Sequence, residues 1–128
     1  MNKEQKRILL VEDDETLSKS LATLLEDGGF LVTVAHDGEA AVREAEKIDP
    51  DMILLDVMIP KMDGISALKR MREIPALKET PVTMLTNRDD LETINASLES
   101  GSFDFLVKHE WRLEDIVKRV QEKLGVTG

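Results

Sequence analysis

The sequence predicts an α/β fold with a doubly wound parallel sheet. Five short apolar runs alternate with five helix-like segments, and these runs are continuously apolar or β-branched, which is typical of strands buried on both faces of a parallel sheet. Strict strand–helix alternation with right-handed crossovers produces a doubly wound sheet. The predicted strands are residues 7–11, 31–35, 52–55, 82–86 and 103–107.

Amphipathic helices are predicted between and after these strands, because apolar residues recur there at helical spacing. Four of the helices show leucine-, isoleucine- or valine-rich faces around residues 17–25, 65–71, 91–98 and 113–124. The second helix, about 39–47, is rich in alanine and has the weakest apolar face. Turn residues separate the elements, at Gly28-Gly29, Asp37-Gly38, Asp49-Pro50-Asp51, Pro75 and Gly101.

Length and composition limit the possible classes of protein. A chain of 128 residues with 41% hydrophobic and 34% charged residues fits one globular domain, taken as residues 1–128 with a core of about 6–124. The net charge of -9 would repel phosphates, so direct DNA or RNA binding is not expected. The absence of cysteine excludes disulfides and thiolate metal sites. With no signal peptide or membrane-length segment, we expect a cytoplasmic location and no membrane insertion.

The end of the chain is open to two interpretations. Residues 125–128 could be a free end or the start of a linker to something further.

Polar side chains stand where four of the predicted strands end. In an open parallel sheet, ligands bind beyond the carboxyl ends of the strands, so these residues should converge on one rim. They are Glu12, Asp13, Asp56, Thr86 and Lys108.

The acidic members of this rim predict a divalent metal site. Carboxylates held close together raise each other's pKa unless a cation joins them, and Mg²⁺ prefers hard oxygen ligands. Asp13 and Asp56 can ligate directly, and Glu12 directly or through water. Asp56, at a strand end before a loop, is expected to be exposed and reactive. Alternatively, acids at strand ends only cap the following helices, a role that suits Asp14.

The two remaining rim residues are ambiguous alone. Lys108 could pair with Asp56 or with a phosphoryl group there, or be an ordinary solvated lysine. The Thr86 hydroxyl could reach a phosphoryl oxygen, or start the turn at 87–90.

Four segments carry a resemblance to a known family. They are residues 9–14 (LLVEDD), 56–64 (DVMIPKMDG), 81–86 (PVTMLT) and 101–108 (GSFDFLVK). In this order and spacing they make the chain similar to the receiver domains of two-component response regulators, over essentially its whole length. The resemblance implies a flavodoxin-like (βα)5 three-layer sandwich with strand order 2-1-3-4-5.

The resemblance also implies a phosphorylation site. Asp56 would be the phosphoacceptor, taking a phosphoryl group from a phosphohistidine on a sensor histidine kinase or a histidine phosphotransfer protein. Mg²⁺ would be held by Glu12, Asp13, Asp56 and the backbone carbonyl of Met58. The chain would be a signalling domain that catalyses only its own phosphorylation and dephosphorylation.

A switch is implied as well. Lys108 would contact the phosphoryl oxygens, Thr86 would hydrogen-bond the phosphoryl group and move toward it, and Phe105 would be the aromatic residue that then turns inward. The fourth helix, fifth strand and fifth helix would present the changed surface to a downstream protein partner. The chain would be a monomer or a weak, phosphorylation-dependent dimer.

Two positions depart from the family pattern. Asn87 stands where a small residue is usual, and could narrow access to Asp56 or hold Thr86 differently. His109 stands where proline is usual, often after a cis bond. A cis bond before a non-proline residue costs roughly 2.5–4 kcal/mol, so we expect a trans Lys108–His109 bond and some shift in this loop. We expect no role for the His109 side chain.

Two alternative functions remain open. A pseudo-receiver would keep the fold without phosphorylation, and Asn87 and His109 are its only support. A phosphatase of the haloacid-dehalogenase type would use Asp56 as nucleophile, but such enzymes have a second aspartate at the position that Met58 occupies here.

We expect Met58 and Arg88, which flank the site, to tune dephosphorylation by controlling the access of water. His36 is not expected to be a ligand, and Trp111 is expected to pack partly near Lys108.

Overall fold

The computed structural model describes residues 5–126 and shows a five-stranded parallel sheet in the order β2-β1-β3-β4-β5. This confirms the predicted fold class and strand order. The strands are β1 (Arg7–Val11), β2 (Leu31–Ala35), β3 (Met52–Leu55), β4 (Val82–Thr86) and β5 (Asp104–Val107).

The predicted start of the last strand at Phe103 is wrong by one residue. Pairing with β4 begins at Asp104, which lies opposite Thr83. Phe103 still donates its N–H to the Val82 carbonyl at 2.8 Å, but its ring is 59% exposed and lies beneath the Arg72 guanidinium. The predicted strand therefore begins one residue before the paired strand does.

Five helices connect or follow the strands. They are α1 (Glu15–Asp27), α2 (Gly38–Ile48), α3 (Gly64–Arg72), α4 (Leu91–Glu99) and α5 (Leu113–Leu124), with 3-10 turns at Pro75–Leu77 and Lys108–Glu110. The first four begin behind an aspartate whose carboxylate accepts a hydrogen bond from the backbone N–H three residues on, and these caps are Asp14, Asp37, Asp63 and Asp90. Three of these capped helices, α1, α3 and α4, follow strands whose ends form the rim.

The core has one apolar layer on each face of the sheet. α2 and α3 cover one face through small or flexible residues such as Ala41, Ala45 and Met71. α1 and α5 cover the other through Leu21 and Leu25 and through the buried stripe at residues 116, 117 and 120. This arrangement is the three-layer sandwich that the resemblance implied.

Helix α4 is anchored less firmly than the others. Its fully buried residues are Thr93 and Ser97, while Leu91 and Leu98 are exposed. Among the described residues, neither apolar layer includes a residue of α4. A helix with so little buried apolar surface can move at a low free-energy cost.

Across residues 5–126, none of the helices combines the length and the apolar character needed to cross a membrane.

Candidate functional site

The pairing of the strands brings the predicted rim residues together. Val11 lies opposite Leu55 in the sheet, so Glu12 and Asp56 follow neighbouring positions, and Asp56 donates its N–H to the Val11 carbonyl at 3.1 Å. Thr86 lies opposite Val107, which places Lys108 just beyond the end of β5. The structure therefore places the acids, Thr86 and Lys108 at the carboxyl edge of the sheet.

Three carboxylates form one cluster there. Ligand oxygens of Glu12, Asp13 and Asp56 all lie within 4.8 Å of one another. Glu12 and Asp56 are buried, with 3% and 5% of their surface exposed, whereas Asp13 is exposed. Asp13 is thus the carboxylate of the cluster that solvent reaches most easily.

The expectation that Asp56 is exposed is wrong. One of its carboxylate oxygens accepts a hydrogen bond from Lys108 Nζ at 2.7 Å, and the other accepts one from the Met58 N–H at 3.1 Å. The following loop also returns close to the backbone, because a Cβ added at Gly64 would lie 2.1 Å from the Asp56 carbonyl oxygen. Asp56 is therefore buried, and its carboxylate is covered in part by Lys108.

Lys108 is the cation of the cluster. Its ammonium group hydrogen-bonds both Asp56 and Glu12, and 15% of its side chain is exposed. Burial opposes its charge, but the two carboxylates outweigh burial and raise the pKa of Lys108 above its ordinary value. Lys108 is accordingly held charged against Asp56.

Glu12 shows that this single cation does not compensate the cluster fully. Burial raises the pKa of Glu12, and the hydrogen bonds from Lys108 and from the Asp14 N–H offset this effect only in part. The ionised form of Glu12 thus pays a desolvation cost that a further positive charge would relieve.

Thr86 is buried at the end of β4, and its hydroxyl oxygen accepts a hydrogen bond from the Arg88 N–H at 3.3 Å. Phe105 is half-buried and packs against the apolar layer on the α2 and α3 face. The Met58 side chain is 59% exposed beside the cluster. The roles assigned to these residues, including that of the Met58 carbonyl, stay predictions.

The two positions that depart from the family pattern contact each other. The Asn87 side-chain oxygen accepts a hydrogen bond from the His109 N–H at 2.9 Å and lies 3.1 Å from His109 Nδ1. No pattern in the sequence predicts this pairing, because the residues are 22 positions apart and lie in two different loops. The predicted trans Lys108–His109 bond is confirmed, since the described chain contains no cis peptide.

His36 is a second contact that sequence reasoning missed. Its Nδ1 lies 2.9 Å from the backbone carbonyl oxygen of Glu12. The signal was available in the strand pairing, because Ala35 lies opposite Val11 and the next residues on each strand are then neighbours. His36 thus fixes the backbone of Glu12 rather than reaching the carboxylate cluster itself.

A second group of possible metal ligands lies nearby. Oxygens or nitrogens of Asp89, His109 and Glu110 also lie within 4.8 Å of one another, but all three residues are exposed. Exposed acidic groups are common without a bound ion, so we assign no metal to them.

Comparison with known proteins identifies the family. The family described as "Response regulator receiver domain" matches residues 8–121. The chain belongs to this family, and it is a receiver domain of two-component signal transduction.

Individual proteins similar to this chain support the same family assignment. The chain is 37% identical to the transcriptional regulatory protein TrcR of Mycobacterium tuberculosis over 115 residues, which is 90% of this chain and 44% of that protein. The structure of a putative response regulator from Chloroflexus aurantiacus shares 34% identity with a TM-score of 0.86, covering 95% of this chain and 99% of that chain.

The receiver domain of the sensor histidine kinase PA1611 from Pseudomonas aeruginosa has a magnesium ion coordinated in its active site cleft. It shares 30% identity with a TM-score of 0.85, covering 95% of this chain and 99% of that chain. The chain spans about half the length of the curated relatives it matches.

Proposed function

We propose that this chain is a phosphoacceptor in a two-component phosphorelay. Asp56 takes a phosphoryl group from a phosphohistidine of a sensor histidine kinase or a histidine phosphotransfer protein, in a Mg²⁺-dependent reaction. The observation that carries the proposal is the cluster of Glu12, Asp13 and Asp56, with Lys108 Nζ 2.7 Å from Asp56.

The residues of the cluster fit a magnesium ion. Three carboxylates within 4.8 Å provide hard oxygen ligands. Burial raises the pKa of Glu12 by disfavouring its ionised form, and a bound cation would stabilise that form. Asp13 and Asp56 would hold the ion, with Glu12 and the Met58 carbonyl assisting. When bound, Mg²⁺ would neutralise the carboxylates and the oxygens of an incoming phosphoryl group.

The side chains of this chain align and stabilise the transfer. A carboxylate oxygen of Asp56 forms a bond to phosphorus while the P–N bond to the donor imidazole breaks, and the electron pair of that bond leaves with the imidazole nitrogen. Lys108 is held charged beside Asp56 and can exchange its carboxylate contact for a phosphoryl oxygen. Phosphoryl transfer depends mostly on such positioning and charge compensation.

A phosphoryl group on Asp56 would then bias the molecule toward a second conformation. Its new acceptor oxygens attract the Thr86 hydroxyl, which in this structure accepts from the Arg88 N–H within its own loop. Movement of Thr86 leaves room for Phe105 to turn inward. Helix α4 has little buried apolar surface and is the element most easily displaced, so the α4–β5–α5 face carries the signal to a protein partner.

The proposal also covers the extent of the domain, its location and its oligomeric state. Residues 1–128 form a single receiver domain with a core of about 6–124, which works in the cytoplasm as a monomer or a weak phosphorylation-dependent dimer. The relative TrcR is a transcriptional regulatory protein, but the net charge of -9 disfavours contact of this chain with DNA. The domain turns over only its own phosphoryl group.

Intact-mass spectrometry after incubation with acetyl phosphate tests the proposal. The parent chain should gain one phosphoryl group only when Mg²⁺ is present, and Asp56→Asn should gain none. Asp13→Asn should require more Mg²⁺. The matched control is Asp49→Asn, which removes an exposed aspartate at a left-handed position that asparagine also accepts.

The other outcomes distinguish the alternatives. No adduct, together with no response to beryllofluoride, would identify a pseudo-receiver. Continuous release of p-nitrophenol from p-nitrophenyl phosphate would identify a phosphatase with Asp56 as nucleophile.

A further inference from the structure

Two loops at the carboxyl edge of the sheet are joined by one pair of residues. Asn87 lies in the β4–α4 loop, and His109 lies in the 3-10 turn after β5. A single amide oxygen of Asn87 faces two hydrogen-bond donors of His109, the backbone N–H at 2.9 Å and Nδ1 at 3.1 Å. We call this pair the clasp.

The clasp sits next to both side chains that must respond to a phosphoryl group. Asn87 directly follows Thr86, and His109 directly follows Lys108. Lys108 is held by Glu12 and Asp56, while the Thr86 hydroxyl is engaged with the Arg88 N–H. The clasp therefore ties the residue beside Thr86 to the chain that carries Lys108, in the unphosphorylated arrangement.

We propose that the clasp is a brake: it holds the β4–α4 loop in its resting position and so slows the phosphorylation of Asp56. This inference rests on the proposed function. For the Thr86 hydroxyl to reach a phosphoryl group on Asp56, the backbone at residues 86–88 has to shift. Any shift of this segment that the Lys108–Glu110 turn does not follow breaks the two hydrogen bonds of Asn87. The clasp thus favours the resting state over the phosphorylated one.

The chemistry of the pair predicts unequal contributions. Asn87→Ala removes the acceptor and hence both hydrogen bonds, whereas His109→Ala removes only the one from the ring and keeps the backbone donor. The ring nitrogen Nδ1 donates to the Asn87 oxygen only when it carries a proton, whereas the backbone N–H of His109 donates whatever the tautomer of the ring.

A third variant distinguishes the hydrogen bonds of Asn87 from the steric effect of its side chain. Asn87 could slow phosphorylation merely by its bulk beside Asp56. Asn87→Leu keeps nearly the same size and shape but has no acceptor, so a brake made of hydrogen bonds is lost in this variant and a steric one is retained.

The experiment measures the initial rate of phosphorylation by acetyl phosphate with saturating Mg²⁺, followed by intact mass. It is accompanied by the affinity for beryllofluoride from calorimetry. We expect Asn87→Ala and Asn87→Leu to react at least threefold faster than the parent and to bind beryllofluoride correspondingly more tightly. His109→Ala should show a smaller increase, and it should add nothing in the Asn87→Ala background.

A spectroscopic readout separates the brake from a general loosening of the fold. In unliganded Asn87→Ala, the Thr86 amide resonance should move along the line that joins the free and beryllofluoride-bound positions of the parent. Urea midpoints of all variants should stay close to the parent value, because both residues are exposed.

Each remaining outcome contradicts the inference in a recognisable way. Unchanged or slower reaction of Asn87→Ala would overturn the brake and leave the proposed function intact. A fast Asn87→Ala with a slow Asn87→Leu would assign the effect to bulk, and additive effects of the two residues would show that they act separately. A parent chain that gains no phosphoryl group would remove the proposed function and the brake together.

Discussion

Replacing Lys108 with methionine is expected to destabilise the chain in the absence of Mg²⁺. Methionine fills the space of the lysine stem but leaves Glu12 and Asp56 buried without their cation. Removing one partner of a buried ion pair typically costs about 3–5 kcal/mol. The exposed Asp13 keeps one side of the cluster in contact with water, so we expect the lower end, about 3 kcal/mol.

Magnesium should act on this variant in the opposite sense. Lys108 compensates the same carboxylates that would hold the ion, so Lys108→Met should bind Mg²⁺ several-fold more tightly than the parent. Saturating Mg²⁺ should then recover part of the lost stability.

The pH dependence of the stability of Lys108→Met independently checks the role of Lys108. Without Lys108, the hydrogen bond and the charge that lower the pKa of Glu12 are gone, so its pKa in the folded state rises further above the unfolded value. A carboxyl group with a raised folded pKa gains stability as the pH falls through that pKa. The deficit of Lys108→Met should therefore be largest near neutral pH and shrink toward the raised pKa of Glu12.

The assay is urea unfolding in EDTA and in Mg²⁺, at several pH values. Lys78→Met serves as control, because Lys78 is exposed and precedes β4, at the opposite edge of the sheet. Equal stability of the parent and Lys108→Met in EDTA, or weaker Mg²⁺ binding by the variant, would refute the view that Lys108 compensates the cluster.

Three further changes test other parts of the structure. Gly64→Ala would place a Cβ 2.1 Å from the Asp56 carbonyl oxygen. It should lower the free energy of unfolding by about 3 kcal/mol in urea unfolding. An unchanged midpoint would contradict the close approach of the two backbone segments. Burial opposes ionisation of Asp104, but hydrogen bonds from Arg119 and the Phe105 N–H lower its pKa. The contribution of Asp104 to stability should thus be fully present above its ordinary pKa and disappear as the pH falls through its lowered pKa. The prediction is contradicted if the parent and Asp104→Asn differ in stability by the same amount from neutral to strongly acidic pH. Phe105→Leu should keep the phosphorylation rate within about twofold while reducing the beryllofluoride-induced change in hydrogen exchange on the α4–β5–α5 face, and an undiminished change would exclude Phe105 from the switch.

Most of the fold was predictable because the apolar runs end where the strands end. The runs before Glu12 and Asp56 stop at the carboxyl edge of the sheet, and parallel pairing then requires those two side chains to be neighbours. The location of a residue at the end of a buried parallel strand can therefore be predicted from the sequence of that strand and of the turn after it.

Loop contacts were not predictable in this way. The contact between Asn87 and His109 depends on the conformations of two loops, and the burial of Asp56 depends on the placement of Lys108 and on the return of the chain at Gly64. Hydrophobicity predicts a strand that includes Phe103, but it does not reveal where pairing with β4 begins. Such features follow from tertiary packing rather than local pattern.

The most direct test of the central claim is to locate the phosphoryl group. Borohydride reduces an aspartyl phosphate to homoserine, which marks the modified residue permanently for peptide mass spectrometry. After incubation with acetyl phosphate and Mg²⁺, we expect homoserine at position 56 alone, and unmodified peptide when EDTA is present. Homoserine at Asp13 or at another acidic residue, or an unmodified Asp56 in a chain that has gained a phosphoryl group, would contradict the account.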